Sequence, residues 1–340
     1  MEHVSECGTP FKNKSFASFV LRHGLNKYFK GTSEEEFKRL LGEKVSKSSA
    51  RLPVKFPMAN SALPDNFDSR RKWPQCRWMK FIRDQSNCGS CWAVASASVM
   101  SDRQCTFSGG SVQPYISDEH ILACCTGVCG SGYICTCYPK TKLNKCVYSR
   151  CNGGDKAEAF AYWKKNGVPT GGPFGSTFGC QPYSIQCKGC PMAPTPKCTD
   201  QCIPQYRIPF EQSVFYESCL ILDTMSLGAE IYHVPRSDVM IMHEMYNNGP
   251  VTASFIVYED FTYYKKGVYK HMWGKYSGRH AVRVIGWGVE NSNGTDLPYW
   301  LITNSWNTTW GMNGLVKFYR GVNECGIENN IVTGIPRIYV

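Results

Sequence analysis

Cys91 is the residue of this chain whose surroundings most clearly prepare it for chemistry. It stands in Gln85-Ser86-Asn87-Cys88-Gly89-Ser90-Cys91-Trp92, and from Cys91 to Arg103 there is neither glycine nor proline. That run predicts a buried helix opening at Cys91, with Ser90 as its cap. A thiol at a helix N-terminus meets the positive end of the macrodipole and unpaired backbone N–H groups, which both favour thiolate. Thiolate is the nucleophilic form. A cysteine attacking a carbonyl needs three further groups. An imidazolium must hold its charge and later protonate the leaving group. A hydrogen-bonding neighbour must orient that imidazole. Donors that do not ionise must meet the developing oxyanion, where losing one typically costs about 10²–10³ in rate. Taken alone, Cys91 could equally be a structural cysteine on a buried helix.

These groups must be positioned by the elements around the helix. Residues 11–47 are polar and read as helical, with Phe16, Phe19 and Val20 at helical spacing and Ser33-Glu34-Glu35-Glu36 as a helix start. Lys47 to Asn60 is rich in Ser, Pro and Lys without periodicity and reads as a linker. From Leu63-Pro64 onward Trp, Cys and Gly become frequent. Helices are expected at 157–166 and 238–248, the latter ending at Asn248-Gly249-Pro250. Strands are expected at Val251 to Val257, His280 to Gly286, Tyr299 to Thr303 and Gly314 to Tyr319. Helices early and strands late predict an α+β protein of two lobes.

Composition narrows the function classes. The chain has 340 residues, 42% of them hydrophobic and 19% charged, which suits one large domain or two lobes with a sizeable core. Its formal charge of +11 forms no basic stripe, so nucleic acid is not an expected partner. No apolar run is long enough for a membrane helix. The opening Met1 to Cys7 has neither the basic start nor the apolar stretch of a signal peptide. The protein is then either cytosolic or begins after its targeting segment. Nineteen cysteines favour the second and an oxidising route of export. Cys187-Lys188-Gly189-Cys190 and Cys135-Thr136-Cys137 have spacing that zinc could use, but the surplus of cysteines favours disulfides. No metal or cofactor is expected. Asn13, Asn293 and Asn307 have the form of glycosylation acceptors.

Cys88-Gly89-Ser90-Cys91-Trp92 is a signature of papain and cathepsins. The region from Leu63 to about Pro336 resembles cathepsin B-like peptidases of the papain family. The likeness is carried by Trp73-Pro74-Gln75-Cys76, Cys151-Asn152-Gly153-Gly154, Cys180-Gln181-Pro182-Tyr183-Ser184-Ile185, Ile285-Gly286-Trp287-Gly288-Val289-Glu290 and Asn304-Ser305-Trp306-Asn307. It implies a helical lobe bearing Cys91, a β-barrel-like lobe bearing His280 and Asn304, and a cleft between them. It implies Cys91 as nucleophile, His280 as base, Asn304 as its orienting partner and Gln85, with the Cys91 N–H, as the oxyanion hole. Trp306 would shield the His–Asn bond. Substrate would meet Gly153, Gly154, Asp155, Arg279, Trp306 and Asn330. Implied disulfides are Cys76–Cys105, Cys88–Cys151, Cys124–Cys198, Cys125–Cys129, Cys180–Cys202 and Cys187–Cys190. Residues 1–62 would be a propeptide inhibiting residues 63–340. Protein or peptide substrates, cystatin-like inhibitors and a lysosomal or secreted setting are further implications.

The chain also departs from that pattern. The stretch from Cys187 to Cys198 lacks the two adjacent histidines with which cathepsin B holds a substrate's C-terminus, which points to an endopeptidase. Asn330 stands where relatives often carry a Glu at the base of the second subsite. Asp155 replaces an aromatic. Arg279 precedes His280, either supporting the thiolate, pairing with Asp155 or facing solvent. An insertion at 133–150 adds Cys135, Cys137 and Cys146, and is either a loop near the cleft or translated intron sequence.

Overall fold

The structure, a computed structural model, describes residues 22–24, 26–46, 51–59, 62–125, 129, 133–134, 147–148, 150–186, 193–213 and 228–338. Residues 11–21, the Cys187–Cys190 pair, Asn13 and most of the 133–150 insertion lie outside them.

Helix α1 (Glu34–Leu40) begins where the acids predicted it. Ser33 accepts the Glu36 N–H while the Glu36 carboxylate takes the Ser33 N–H, a reciprocal cap. Helix α2 (Cys91–Phe107) is buried all round from Cys91 to Cys105, which explains a sequence of small and apolar residues without a polar face. Helices α3 (Asp118–Cys124) and α4 (Lys156–Asn166) pack beside it, and α5 (Asp238–Asn248) ends at Gly249 with φ +108°, a conformation glycine adopts at low cost.

The strands of the main sheet are β1 (Phe67–Asp68), β2 (Gly228–Val234), β3 (Val251–Tyr258), β4 (Val268–Tyr269), β5 (Tyr276–Ser292), β6 (Thr295–Thr303), β7 (Leu315–Tyr319) and β8 (Ile331–Pro336). Their order is β2-β8-β3-β5-β6-β7-β4, with β1 added to β5. The sheet is open and not closed into a barrel. The long β5 continues through the predicted His280 strand in both directions and pairs antiparallel with β3 and β6.

Two apolar cores correspond to the two lobes. One gathers around α2 with Trp92, Phe160 and Trp163; the other fills the sheet with Trp287, Trp300, Trp306, Trp310, Phe255, Phe261 and Phe318. Buried ion pairs join them. Arg283 on β5 binds Asp102 on α2 at 2.9 Å, and Arg103 on α2 binds Glu244 on α5 at 2.8 Å. Such pairs add little net stability, but removing one partner strands a buried charge, so they hold α2 in one position on β5. Five of the six implied disulfides are present: Cys76–Cys105, Cys88–Cys151, Cys124–Cys198, Cys125–Cys129 and Cys180–Cys202.

Residues N-terminal to Leu63 are laid across both lobes. Arg22–His23 pairs with Tyr264–Lys266, and the Asn26 amide donates to Thr262 O and Tyr264 O. Tyr28, Phe29 and Phe37 pack on Trp306. Residues 42–44 pass between the lobes, and the Lys55 N–H reaches His233 O on β2. The stretch read as a linker is therefore partly docked, although Phe56 and Met58 are each 73% exposed.

Candidate active site

The sequence elements that could do chemistry meet at the line between α2 and β5. Cys91 opens α2, forms no disulfide and is fully buried. Ser90 occupies the cap position but makes no side-chain bond to the helix. Its hydroxyl meets Tyr183 Oη at 2.7 Å, and Tyr183 donates onward to Gln85 O at 2.8 Å. The expected cap is thus an anchor for the Gln85 loop, while backbone N–H groups of Ala281, Gly42 and Trp92 face the Cys91 sulfur.

His280 lies on β5, immediately before Ala281. Its Nε2 is 2.8 Å from Asn304 Oδ1. The Asn304 amide has one orientation, because the Ser305 N–H donates to the same Oδ1 at 2.7 Å and a backbone N–H can only donate. His280 Nε2 therefore carries the proton in the neutral ring. Its Nδ1 is left as the lone-pair nitrogen, buried with no hydrogen-bond partner among the described residues. Trp306 lies against His280, their ring centroids 4.6 Å apart.

Gln85 is fully buried, and Ser305 Oγ donates to its Oε1 at 2.6 Å. Its Nε2 then faces two carbonyls, Cys88 O at 2.8 Å and Leu40 O at 2.9 Å. Leu40 belongs to the N-terminal segment, so the donor expected to meet an oxyanion is filled by the chain's own carbonyl.

The next residues continue along the cleft like a bound strand. Gly154 N–H donates to Gly42 O at 2.9 Å, Lys44 N–H returns to Gly154 O at 2.9 Å, and Glu43 N–H reaches Arg279 O at 3.2 Å. Gly42 fits because it has no side chain: a Cβ there would stand 1.8 Å from Gly89 O. Gly153, at φ +112°, and Gly154 are needed for similar reasons, since Cβ atoms would meet Gly42 O at 2.5 Å and Trp92 at 2.5 Å respectively.

Burial decides the protonation of this covered site. It pushes the Cys91 thiol up to about 12, with the Glu43 charge adding to it and the surrounding N–H groups opposing it. It draws His280 down to about 4 despite Asn304. The helix N-terminus favours thiolate, as the sequence suggested, but exclusion of water outweighs it, and the covered pair is neutral thiol and neutral imidazole.

The remaining expected site residues separate. Asp155 caps α4 through Ala157 N–H at 2.8 Å and takes the Ser46 N–H at 2.6 Å. Arg279 is partly buried, and its charge acts on Glu43. Asn330 is buried just before β8, its Oδ1 without a partner among the described residues. Sequence reasoning missed Lys156, a wholly buried lysine whose Nζ binds Glu43 Oε1 at 2.8 Å and Ser254 Oγ at 3.1 Å. Its only signal was position, one residue past Asp155 at the start of a helix whose other lysines are exposed.

A helix-borne thiol, a strand-borne imidazole oriented by an amide, and a neutral donor are thus brought together on this two-lobed frame. The chain belongs to the papain family: the model described as papain family cysteine protease matches residues 63–335. Its relatives point to one branch. It is 42% identical over 293 residues to cathepsin B-like cysteine proteinase 5 of Caenorhabditis elegans, covering 82% of this chain and 76% of that protein. It is 40% identical over 281 residues to a gut-specific cysteine proteinase of the same organism, covering 82% and 75%. The solved procathepsin B S9 of Trypanosoma congolense superposes with a TM-score of 0.71 at 36% identity, covering 90% of each chain. The protein is a cathepsin B-like peptidase.

Proposed function

We propose that Cys91, His280, Asn304 and Gln85 carry out peptide hydrolysis, and that residues 1–62 are a propeptide that keeps the site latent. The observation that carries this reading is the Leu40–Lys44 strand in the cleft, with the Gln85 amide on its carbonyl. Once that strand leaves, water and substrate reach the dyad. The proton of Cys91 passes to His280 Nδ1, and the thiolate attacks the scissile carbonyl carbon. Gln85 Nε2 and the Cys91 N–H hold the oxyanion. His280 protonates the departing amine, the thioester remains on Cys91, and water deprotonated by His280 releases it. Asn304 holds the imidazolium in the orientation both steps need.

The docked strand is spared for a geometric reason. The Cys91 sulfur faces the Gly42 N–H, while the carbonyl on Gln85 belongs to Leu40, two residues away. Expressing residues 1–340 and assaying before and after cutting within 48–62 tests the latency; full activity of the uncut chain would refute it.

Endopeptidase action is the mode we propose. The stretch from Cys187 to Cys198 offers no histidine for a terminal carboxylate, and its described part is tied down. Ala193 N–H reaches Asn87 O at 3.1 Å and Thr195 Oγ1 takes the Cys151 N–H at 3.1 Å. Two peptides identical except for a free or amidated C-terminus decide this, dipeptide release from the free acid being the contrary result. Five disulfides suit the lysosomal or secreted setting we propose.

A further inference from the structure

Lys156 is a buried charge of the cleft that the hydrolytic reading leaves unused. A lysine 0% exposed needs a counter-charge, and here it is supplied from outside the peptidase lobes by Glu43. Glu43 reaches it as a strand residue would. Its two neighbours exchange hydrogen bonds with Gly154, and its side chain turns inward to the Lys156 ammonium and Ser254 beneath.

A substrate strand using the same Gly154 edge would put one side chain in this pocket. The docked segment pairs parallel with Gly154, so Gly42 over Cys91 precedes Glu43 here. A substrate laid along this edge in the opposite direction would follow its pocket residue with the residue over Cys91, whose carbonyl is the one presented to the thiolate. The pocket side chain is therefore the second before the scissile bond. We infer that Lys156 makes this pocket a receptor for an acidic side chain, so the enzyme cuts preferentially where glutamate stands two residues before the scissile bond. This rests on the hydrolytic reading above and goes beyond it.

The other charges around Glu43 support the sign. Arg279 acts on it with the same polarity as Lys156. Asp155 is the opposing group; its Oδ1 takes the Ala157 N–H of its own helix, while its Oδ2 loses the Ser46 N–H when the N-terminal segment leaves. Glu43 Oε2 has no partner among the described residues, which leaves room for a longer or shorter acid to re-seat. The arginine that a pocket-base glutamate would attract is thus replaced by its opposite. The charge-assisted bond to Lys156, about twice a neutral one, should favour glutamate over glutamine by roughly ten- to a hundredfold in kcat/KM.

The test uses the full chain, activated by cutting in the exposed 56–58 stretch, and four fluorogenic peptides differing at that one position. Glutamate should be cut fastest, then glutamine and leucine, with arginine slowest. Lys156→Met should bring glutamate and glutamine within about threefold, and Lys156→Glu should invert the order towards arginine. Binding of the same peptides to the cut Cys91→Ser protein, read by fluorescence anisotropy, reports the pocket without turnover. Loss of all cleavage with the glutamate preference kept in binding would sink the hydrolytic roles and leave the pocket standing. A wild-type preference for arginine or leucine, or a glutamate preference that survives Lys156→Met, would overturn the inference.

Discussion

Gly42→Ala should open the latent site without changing any residue of the peptidase lobes. The new methyl would have to occupy a point 1.8 Å from Gly89 O, and the three nearest atoms all belong to the Gly89 backbone, so the strand must lift. Lifting loses the Gln85–Leu40 bond and both bonds to Gly154. At about 1 kcal/mol net for each buried neutral hydrogen bond, closure weakens by about 3 kcal/mol, or roughly 100-fold in the opening equilibrium. The Cys91 thiol reports that equilibrium directly. Burial raises it well above its ordinary value while it is covered, so alkylation proceeds through opened chains. Iodoacetamide labelling of Cys91, followed by intact-mass spectrometry, separates uncut from cut chains by mass and so excludes self-processed protein. Uncut Gly42→Ala should label roughly 100 times faster than uncut wild type. A rate within threefold of wild type would mean that the strand does not gate the thiol.

Cys91→Ser should lower turnover below about a thousandth of wild type while leaving the thermal midpoint in place, since the replaced atom is small; greater residual turnover would count against it as nucleophile. Asn304→Ala should reduce kcat by at least about tenfold with KM little changed, because the imidazole loses the acceptor that fixes its tautomer. An altered KM with intact kcat would instead mark Asn304 as a substrate contact. The pH dependence of opening has two opposed contributions. His280, held down to about 4 from an ordinary 6.5, stabilises closure fully above 6.5 and progressively less as pH falls to 4. Glu43, raised to about 7 from 4.5 by burial, has the reverse sign: its contribution is complete below 4.5 and lost as pH rises through 7. Glu43→Gln should therefore unmask opening that accelerates steadily from pH 6.5 to 4.5, measured by the same labelling normalised to the cut chain. A flat profile in that variant would show that His280 does not couple to closure.

Local rules placed most of the elements. Ser33 with Glu36, and Asn248-Gly249-Pro250, marked real helix ends because caps and stops involve only residues a few positions apart. The buried α2 was legible because a run of small and apolar residues without a polar face has no surface to offer water. Ser90 misled because a hydroxyl at a cap position can prefer a distant partner, here Tyr183, 93 residues away.

The sequence by itself determined the inventory of the peptidase: a cysteine at a helix start, and through motif likeness the histidine, asparagine and glutamine that complete the site. These are matters of residue type and local order. What only the tertiary structure decided is what those groups are doing in the intact chain. Residues 40–44 reach Gly154 and Arg279 across more than a hundred positions, and no local pattern encodes such a pairing. The thiol's protonation likewise depends on who excludes the water, since the same helix N-terminus yields a neutral thiol when covered. Lys156 is the sharpest case. In sequence it is one more lysine beginning a helix. In the fold it is a buried charge, and a buried charge takes its meaning from the partner that tertiary contact brings to it.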